Sequence, residues 1–360
     1  MKTLTLTRPA GTLWFAFLFP IVLLIFSCSK GSAVHPSSSS NPDTATGQPG
    51  NTGNTSGGGS IPVGADTLNT SIIPGAGPRA GIMYTASAAI TLSGVHDKVI
   101  SGIVTTSITL NNCYNITIRN CKIGPNSAIG IQTDQCKNVV VDSCYIYHVS
   151  TGIYALNSQT ISVTNCQALN MQGPFPKGAF VQFDNVTGGG NRVSYNKFQN
   201  VFGQSNPEDA ISMYKSSGLD SDPIRIYGNW IRGGGPSLTG GGIMLGDKGG
   251  SNIIAEGNLL VDPGQYGMAV SGGTHIYIVN NSIYAKAQPF TNVGLYYWNQ
   301  SGLPSSGITI GGNKVNFTSG KYGVNNTYLA PGEVIPSGWI TNILNANIDE
   351  SLLPANLITQ

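Results

Sequence analysis

A polar corner returns along this chain at a nearly regular interval, and it restricts the fold more than any other feature. The segments Ile118-Arg-Asn-Cys121-Lys-Ile123, Val141-Asp-Ser-Cys144-Tyr-Ile146 and Val163-Thr-Asn-Cys166 align on their cysteines. Ser194-Tyr-Asn196-Lys-Phe198, Ile226-Tyr-Gly-Asn229-Trp-Ile231 and Ala255-Glu-Gly-Asn258-Leu-Leu260 continue the series, with asparagine in that place. Ile278-Val-Asn-Asn281-Ser-Ile283 and Ile310-Gly-Gly-Asn313-Lys-Val315 close it. The corners are 23, 22, 30, 33, 29, 23 and 32 residues apart. A minimum near 22 with variable excess is what a coil of three short strands and three turns requires, successive coils stacking ~4.8 Å apart as parallel sheets. Asparagine accepts a turn conformation and can pass side-chain hydrogen bonds to the next coil as an internal ladder; cysteine fills the same niche in the first three coils.

Composition agrees. Glycine is 48 of 360 residues and charged residues are only 9%, which excludes a helical protein with a charged surface. β-Branched residues punctuated by Gly and Asn point to an all-β chain. A β-sandwich is the alternative, but its strands have no reason to keep cysteine three times and then asparagine five times at one corner. Lys and Arg number 18 against 16 Asp and Glu, and Lys2 and Arg8 lie in a segment expected to be removed. The balance that remains carries no nucleic-acid footprint.

Three segments are expected. Residues 1–28 read as an export signal: Lys2 and Arg8 form the positive end, and Leu13 to Phe26 is apolar except for Pro20. The ending Ile25-Phe26-Ser27-Cys28 resembles a bacterial lipobox, which implies that Cys28 is acylated and holds the protein to the cell envelope by an N-terminal lipid anchor. Residues 29–60 are a Ser/Gly/Pro/Thr/Asn tract too polar to fold, a flexible tether that includes His35. Residues 61–360 are one domain, expected to be monomeric.

The corner pattern resembles right-handed parallel β-helix proteins, the architecture of pectate lyases, polygalacturonases and chondroitinase B-like lyases, over roughly residues 94–330. The resemblance implies a single-stranded right-handed parallel β-helix of about ten coils, ~50 Å long at that stacking distance, with residues 61–93 and 331–360 as terminal caps that shield sheet edges. Cys113 and Cys136 form a second stack beside Cys121, Cys144 and Cys166. Equivalent positions in neighbouring coils lie within disulfide range and export would permit oxidation, but buried thiols acting as small hydrophobes are the favoured reading.

Function is expected where coils are lengthened, in 166–196, 196–229 and 229–258, whose consecutive insertions can wall one groove, and in 281–313. A chain with few charges places Glu208, Asp209, Lys215, Asp247 and Lys248 there. Aligning Ile211 with Ile243 sets Lys215 against Asp247, either in a site or as a plain salt bridge of small energy. It also sets Asp209 beside Gly241 and Tyr266.

Two enzymatic chemistries fit. β-Elimination from a uronate polysaccharide needs a base, a cation for the carboxylate and a proton donor. Lys215 is the candidate base if Lys248 and a partly dry groove lower its pKa. Lys248, Arg225 or Arg232 would pair with carboxylates, Tyr214 or Tyr266 would donate, and Glu208, Asp209 and Asp247 are alternatively oxygen ligands for calcium. The run Glu208…Lys215-Ser216-Ser217 resembles the Lys-Ser segment of chondroitinase B-like and alginate lyases, although Gly246-Asp247-Lys248-Gly249 stands where those enzymes carry Arg-His-Gly. Glycoside hydrolysis instead needs two carboxyl groups. Glu208-Asp209-Ala-Ile followed by Gly-Gly-Ile-Met-Leu-Gly is similar to the Asp-Asp and Gly-His-Gly regions of polygalacturonases, with Gly241 in place of the histidine and no Arg-Ile-Lys segment after it. A non-catalytic glycan-binding rod is the third reading: Trp230, Tyr296 and Trp298 would stack on sugars, with Tyr297 facing the core. His96, His148 and His275 have no matched partners and read as structural.

Overall fold

The computed structural model describes residues 75–174 and 177–358; the segments expected to be an export signal ending at Cys28 and a tether over 29–60 lie outside them. Short strands wind into coils, each contributing one strand to each of three parallel sheets. The first sheet runs from Ile90–Ser93 to Thr327–Leu329, the second from His96–Ser101 to Thr309–Gly311, and the third from Thr85–Ala86 to Ile343–Leu344. One long strand, Ile243–Glu256, turns the corner between the first and second sheets without a break.

Strand periodicity of two sends alternate residues inward, and equal positions in successive coils stack. On the first sheet Ile108, Ile131, Ile153, Val181, Ile211, Ile243, Met268 and Leu295 form one column in register. The second sheet stacks Ile118, Val141, Val163, Val193, Ile226, Ala255, Ile278 and Ile310. Ile123, Ile146, Ala168, Phe198, Ile231, Leu260, Ile283 and Val315 do the same on the third. These columns meet in one continuous buried core, whose removal from water stabilises the rod by ~25 cal/mol per Å² of apolar surface.

The corner between the second and third sheets holds the asparagine ladder. Asn196, Asn229, Asn258 and Asn281 each donate through Nδ2 to Oδ1 of the asparagine one coil on, at 2.9 Å, and Asn313 donates to Asn342 at 2.8 Å. The left-handed turn conformation belongs to the residue before each ladder position, at Asn120, Ser143, Asn165, Tyr195, Gly228, Gly257, Asn280 and Gly312, with φ between 50° and 67°. That corrects the expectation that the ladder asparagines themselves take the turn. The five described cysteines are buried free thiols. Cys144 N–H donates to Cys166 Sγ at 3.5 Å and Cys166 N–H to Asn196 Oδ1 at 2.9 Å, so sulfur substitutes for the amide oxygen.

The chain ends do more than plug the rod. Gly77 N–H donates to Asn165 O at 2.6 Å and Gln167 Nε2 to Ala76 O at 2.7 Å, drawing the N-terminal segment across the third sheet. The C-terminal segment returns along the same sheet. Gln199 Oε1 accepts from Leu357 N–H at 2.8 Å, and Arg232 Nη1 donates to Glu350 O and Leu353 O at 3.0 and 3.1 Å. Both straps cover the third sheet; the outer surface of the first sheet carries the lengthened coils.

Candidate active site

Outward residues of the first sheet form two columns, Gln132–Tyr154–Gln182–Ser212–Met244–Ala269–Tyr296–Tyr328 and Asp134–Leu156–Asp184–Tyr214–Asp247. The long loops before these strands add Lys177, Glu208 and Asp209 at one margin. Carboxylates, tyrosines and a lysine thus share one surface.

The upstream end of this surface carries a compact group. Tyr154 OH donates to Asp184 Oδ2 at 2.6 Å, and Lys177 Nζ lies 3.4 Å above the centre of the Tyr154 ring. Burial pushes the Tyr154 hydroxyl well above its ordinary pKa, and its hydrogen bond to Asp184 adds to the shift, so it stays protonated. Burial pulls the Lys177 ammonium below its ordinary pKa, opposed by the charge of Asp184. A lysine biased toward its neutral form over a phenol held as a donor is an acid–base pair. Sequence reasoning missed all three, because Lys177 precedes its strand in a loop and Tyr154 belongs to a coil of regular length.

Downstream, the buried carboxylates Glu208 and Asp209 are held by their neighbours. Glu208 accepts from Ser237 Oγ at 2.5 Å and Thr239 Oγ1 at 2.6 Å, fastening the 233–242 loop to the sheet. Asp209 Oδ1 accepts from the Tyr266 hydroxyl and from Gly241 N–H. Tyr266 lies one coil past Gly241, and the space above Gly241 is what lets its ring reach back. A Cβ at 241 would stand 2.5 Å from Tyr266 O and 2.7 Å from its Cγ. The histidine of the polygalacturonase pattern therefore has no room here. Burial and the Asp209 charge raise the Tyr266 pKa, and burial with Asp209 and Asp247 raises that of Tyr296. Tyr266 and Tyr296 meet edge to face at 5.2 Å and pack with Met244, Ala269, Val293 and Tyr328 in a small apolar cluster outside the main core.

The remaining candidates separate. Lys215 is not opposite Asp247: register irregularities on either side of Tyr214 set Tyr214 against Asp247. Lys215 is exposed, with φ 49°, at the corner that Asn112, Asn157 and Asn185 occupy in earlier coils, and its Nζ lies 5.2 Å from the centre of the Tyr214 ring. The partly dry groove that would turn it into a base is absent there; Lys177 has those surroundings. Lys248 is a half-exposed corner residue with φ 57°. Arg225 points outward on the second sheet, paired with Arg192 in register, and Arg232 fastens the C-terminal strap on the third. Neither arginine shares the surface of Asp184 and Asp209. Among the described residues no three acidic, histidine or cysteine side chains come close enough to hold a metal ion, so Glu208, Asp209 and Asp247 do not assemble a calcium set. Tyr297 is buried in the core while Tyr296 and Trp298 are half exposed, as alternation predicts. Trp230 is on the third sheet, beneath Lys197.

Residues 80–246 match the family model described as the right handed beta helix region. No curated protein matches the chain. Among solved structures, it is similar to the catalytic domain of a GH87 alpha-1,3-glucanase in complex with nigerose, with 11% identity and a TM-score of 0.35. Two single-substitution variants of that domain, also with nigerose, give the same TM-score at 11% and 12% identity. In each case the similarity covers 74% of this chain and spans 64% of the length of the other. Three parallel sheets in register, one polar ladder and the family match lead to one conclusion: the chain folds as a right-handed parallel β-helix.

Proposed function

We propose that this protein is a carbohydrate-active enzyme that cleaves a uronate-containing polysaccharide by β-elimination on the outer surface of the first sheet. The observation that carries this reading is the Lys177–Tyr154–Asp184 group, a half-buried lysine of lowered pKa above a phenol that a carboxylate orients. Neutral Lys177 takes the proton α to the uronate carboxyl group. The electron pair forms the carbon–carbon double bond as the β carbon–oxygen bond breaks, and the leaving oxygen takes the proton of Tyr154. Lys215 and Lys248, at the corner of the same sheet, supply positive charge for neighbouring substrate carboxylates. Tyr296 and Tyr328, the half-buried outer members of the aromatic cluster, give sugar rings an apolar surface.

Hydrolysis is the second reading, and a different pair of carboxylates favours it. Asp184 and Asp247 lie in one column with Tyr214 between them, two coils or roughly 10 Å apart at the backbone, near the ~6.5–9.5 Å at which carboxyl pairs invert a glycosidic centre. A panel of polysaccharides decides. Elimination raises ultraviolet absorbance on uronate polymers and loses it in Tyr154→Phe and Lys177→Ala. Reducing ends released without absorbance, with dependence on Asp184 and Asp247, would establish hydrolysis. Binding with neither signal leaves a glycan-binding rod.

A further inference from the structure

The third sheet is covered by straps, yet the N-terminal one does not lie flush. Between its fastenings at Asn165 and Gln167 and the pairing of Thr85–Ala86 with Ile103–Val104, the segment arches over a cavity of about 440 Å³. That volume is in the range of small-molecule sites, roughly 300–1,000 Å³. Lys122, Tyr145 and Gln167 form its floor as one row in register across three coils, with Tyr147 beside them. Arg79 and Tyr84 approach from the strap.

The lining has a definite chemistry. The Tyr145 and Tyr147 rings are nearly parallel, 8° apart in plane and 4.9 Å between centres. Lys122 Nζ lies 4.8 Å from the centre of the Tyr84 ring. Arg79 and Lys122 are cations, and no Asp or Glu is among the lining residues. Aromatic faces accept the apolar face of a sugar ring, while uncompensated cations demand an anion and pair best with a carboxylate. We propose that this cavity is a second carbohydrate site, which takes a uronic acid residue against the open side of the stacked tyrosine pair with its carboxylate on Lys122 and Arg79. The assignment stands apart from the reading of the first sheet, since it uses other residues on another face.

The test is calorimetric titration of the purified full-length protein with D-galacturonate, D-galactose and inorganic phosphate. Saturable binding of galacturonate is expected, with galactose and phosphate at least tenfold weaker. Lys122→Met, which keeps the aliphatic stem, and Arg79→Ala, at an exposed position, should each weaken galacturonate at least fivefold. Tyr154→Phe should leave that affinity unchanged, which separates this site from the proposed active site. No saturable binding overturns the proposal. So does phosphate or galactose binding as tightly as galacturonate, or affinity unchanged in both cavity variants.

Discussion

The Tyr154 hydroxyl reaches Asp184, 30 residues along the chain, as a diagonal neighbour one coil away. Each coil brings residues from distant parts of the sequence to within one strand spacing, so a catalytic group here is a vertical arrangement rather than a local motif. Removing the hydroxyl in Tyr154→Phe is expected to lower turnover by roughly 10²-fold or more. The melting temperature should change little, because the ring remains. Initial rates of absorbance increase on the best uronate polymer, beside a thermal melt, check both halves.

The pH response follows from Lys177. Its folded pKa is lowered by burial, so the folded state releases that proton at a lower pH than the unfolded chain does. Stability therefore rises with pH from the lowered folded value up to the ordinary lysine range. Activity rises over the start of that interval, as neutral lysine becomes available. A pH–rate profile should show a limb below ordinary lysine titration, and Lys177→Arg should abolish it.

The space above Gly241 is already filled. Gly241→Ala is expected to destabilise the protein by roughly 1–3 kcal/mol, since the added Cβ meets both the backbone oxygen and the ring of Tyr266. Gly241→His should be worse, and should gain no hydrolytic activity. Denaturant midpoints of the two variants provide the measurement.

Asn258 accepts from Asn229 and donates to Asn281 and to Ile226 O, all within the buried corner. Asn258→Ala strands several of these groups, at ~1–3 kcal/mol for each one left unsatisfied. A loss of roughly 3 kcal/mol or more is expected in urea unfolding, whereas Asn185→Ala, on an exposed corner, should cost below about 1 kcal/mol.

Anchoring is tested at Cys28. Cys28→Ser should move the protein from the membrane fraction to the soluble fraction and abolish incorporation of labelled fatty acid. Unchanged fractionation would refute lipid attachment.

The fold was legible because the ladder needs one residue type at one place per coil, and Asn196 through Asn313 supply it without a gap. The register at the corner after Tyr214 was not legible. The alignment of Ile211 with Ile243 is correct, but irregular pairing inside Ile243–Glu256 shifts the partner of Asp247 by one residue. The niche of Lys215 did leave a signal, since Asn112, Asn157 and Asn185 precede it at the equivalent corner. Arg232 could not be placed from sequence, because its partners belong to a strap 118 and 121 residues further on. Nor could Lys177, whose position depends on where its loop lays the side chain relative to the sheet.

The ladder has a direction. Every amide from Asn196 to Asn313 gives one N–H to the asparagine of the next coil and the other to a backbone carbonyl of the preceding coil, while its oxygen always faces the N-terminal side. Backbone bonds of the coils run both ways and oppose one another, as when Ile131 donates forward to Gly152 and Gln159 donates back to Cys136. The side-chain carbonyls do not cancel. One aligned chain of amide carbonyls, each polarised by the donor before it, therefore runs along the buried corner of a protein built of strands.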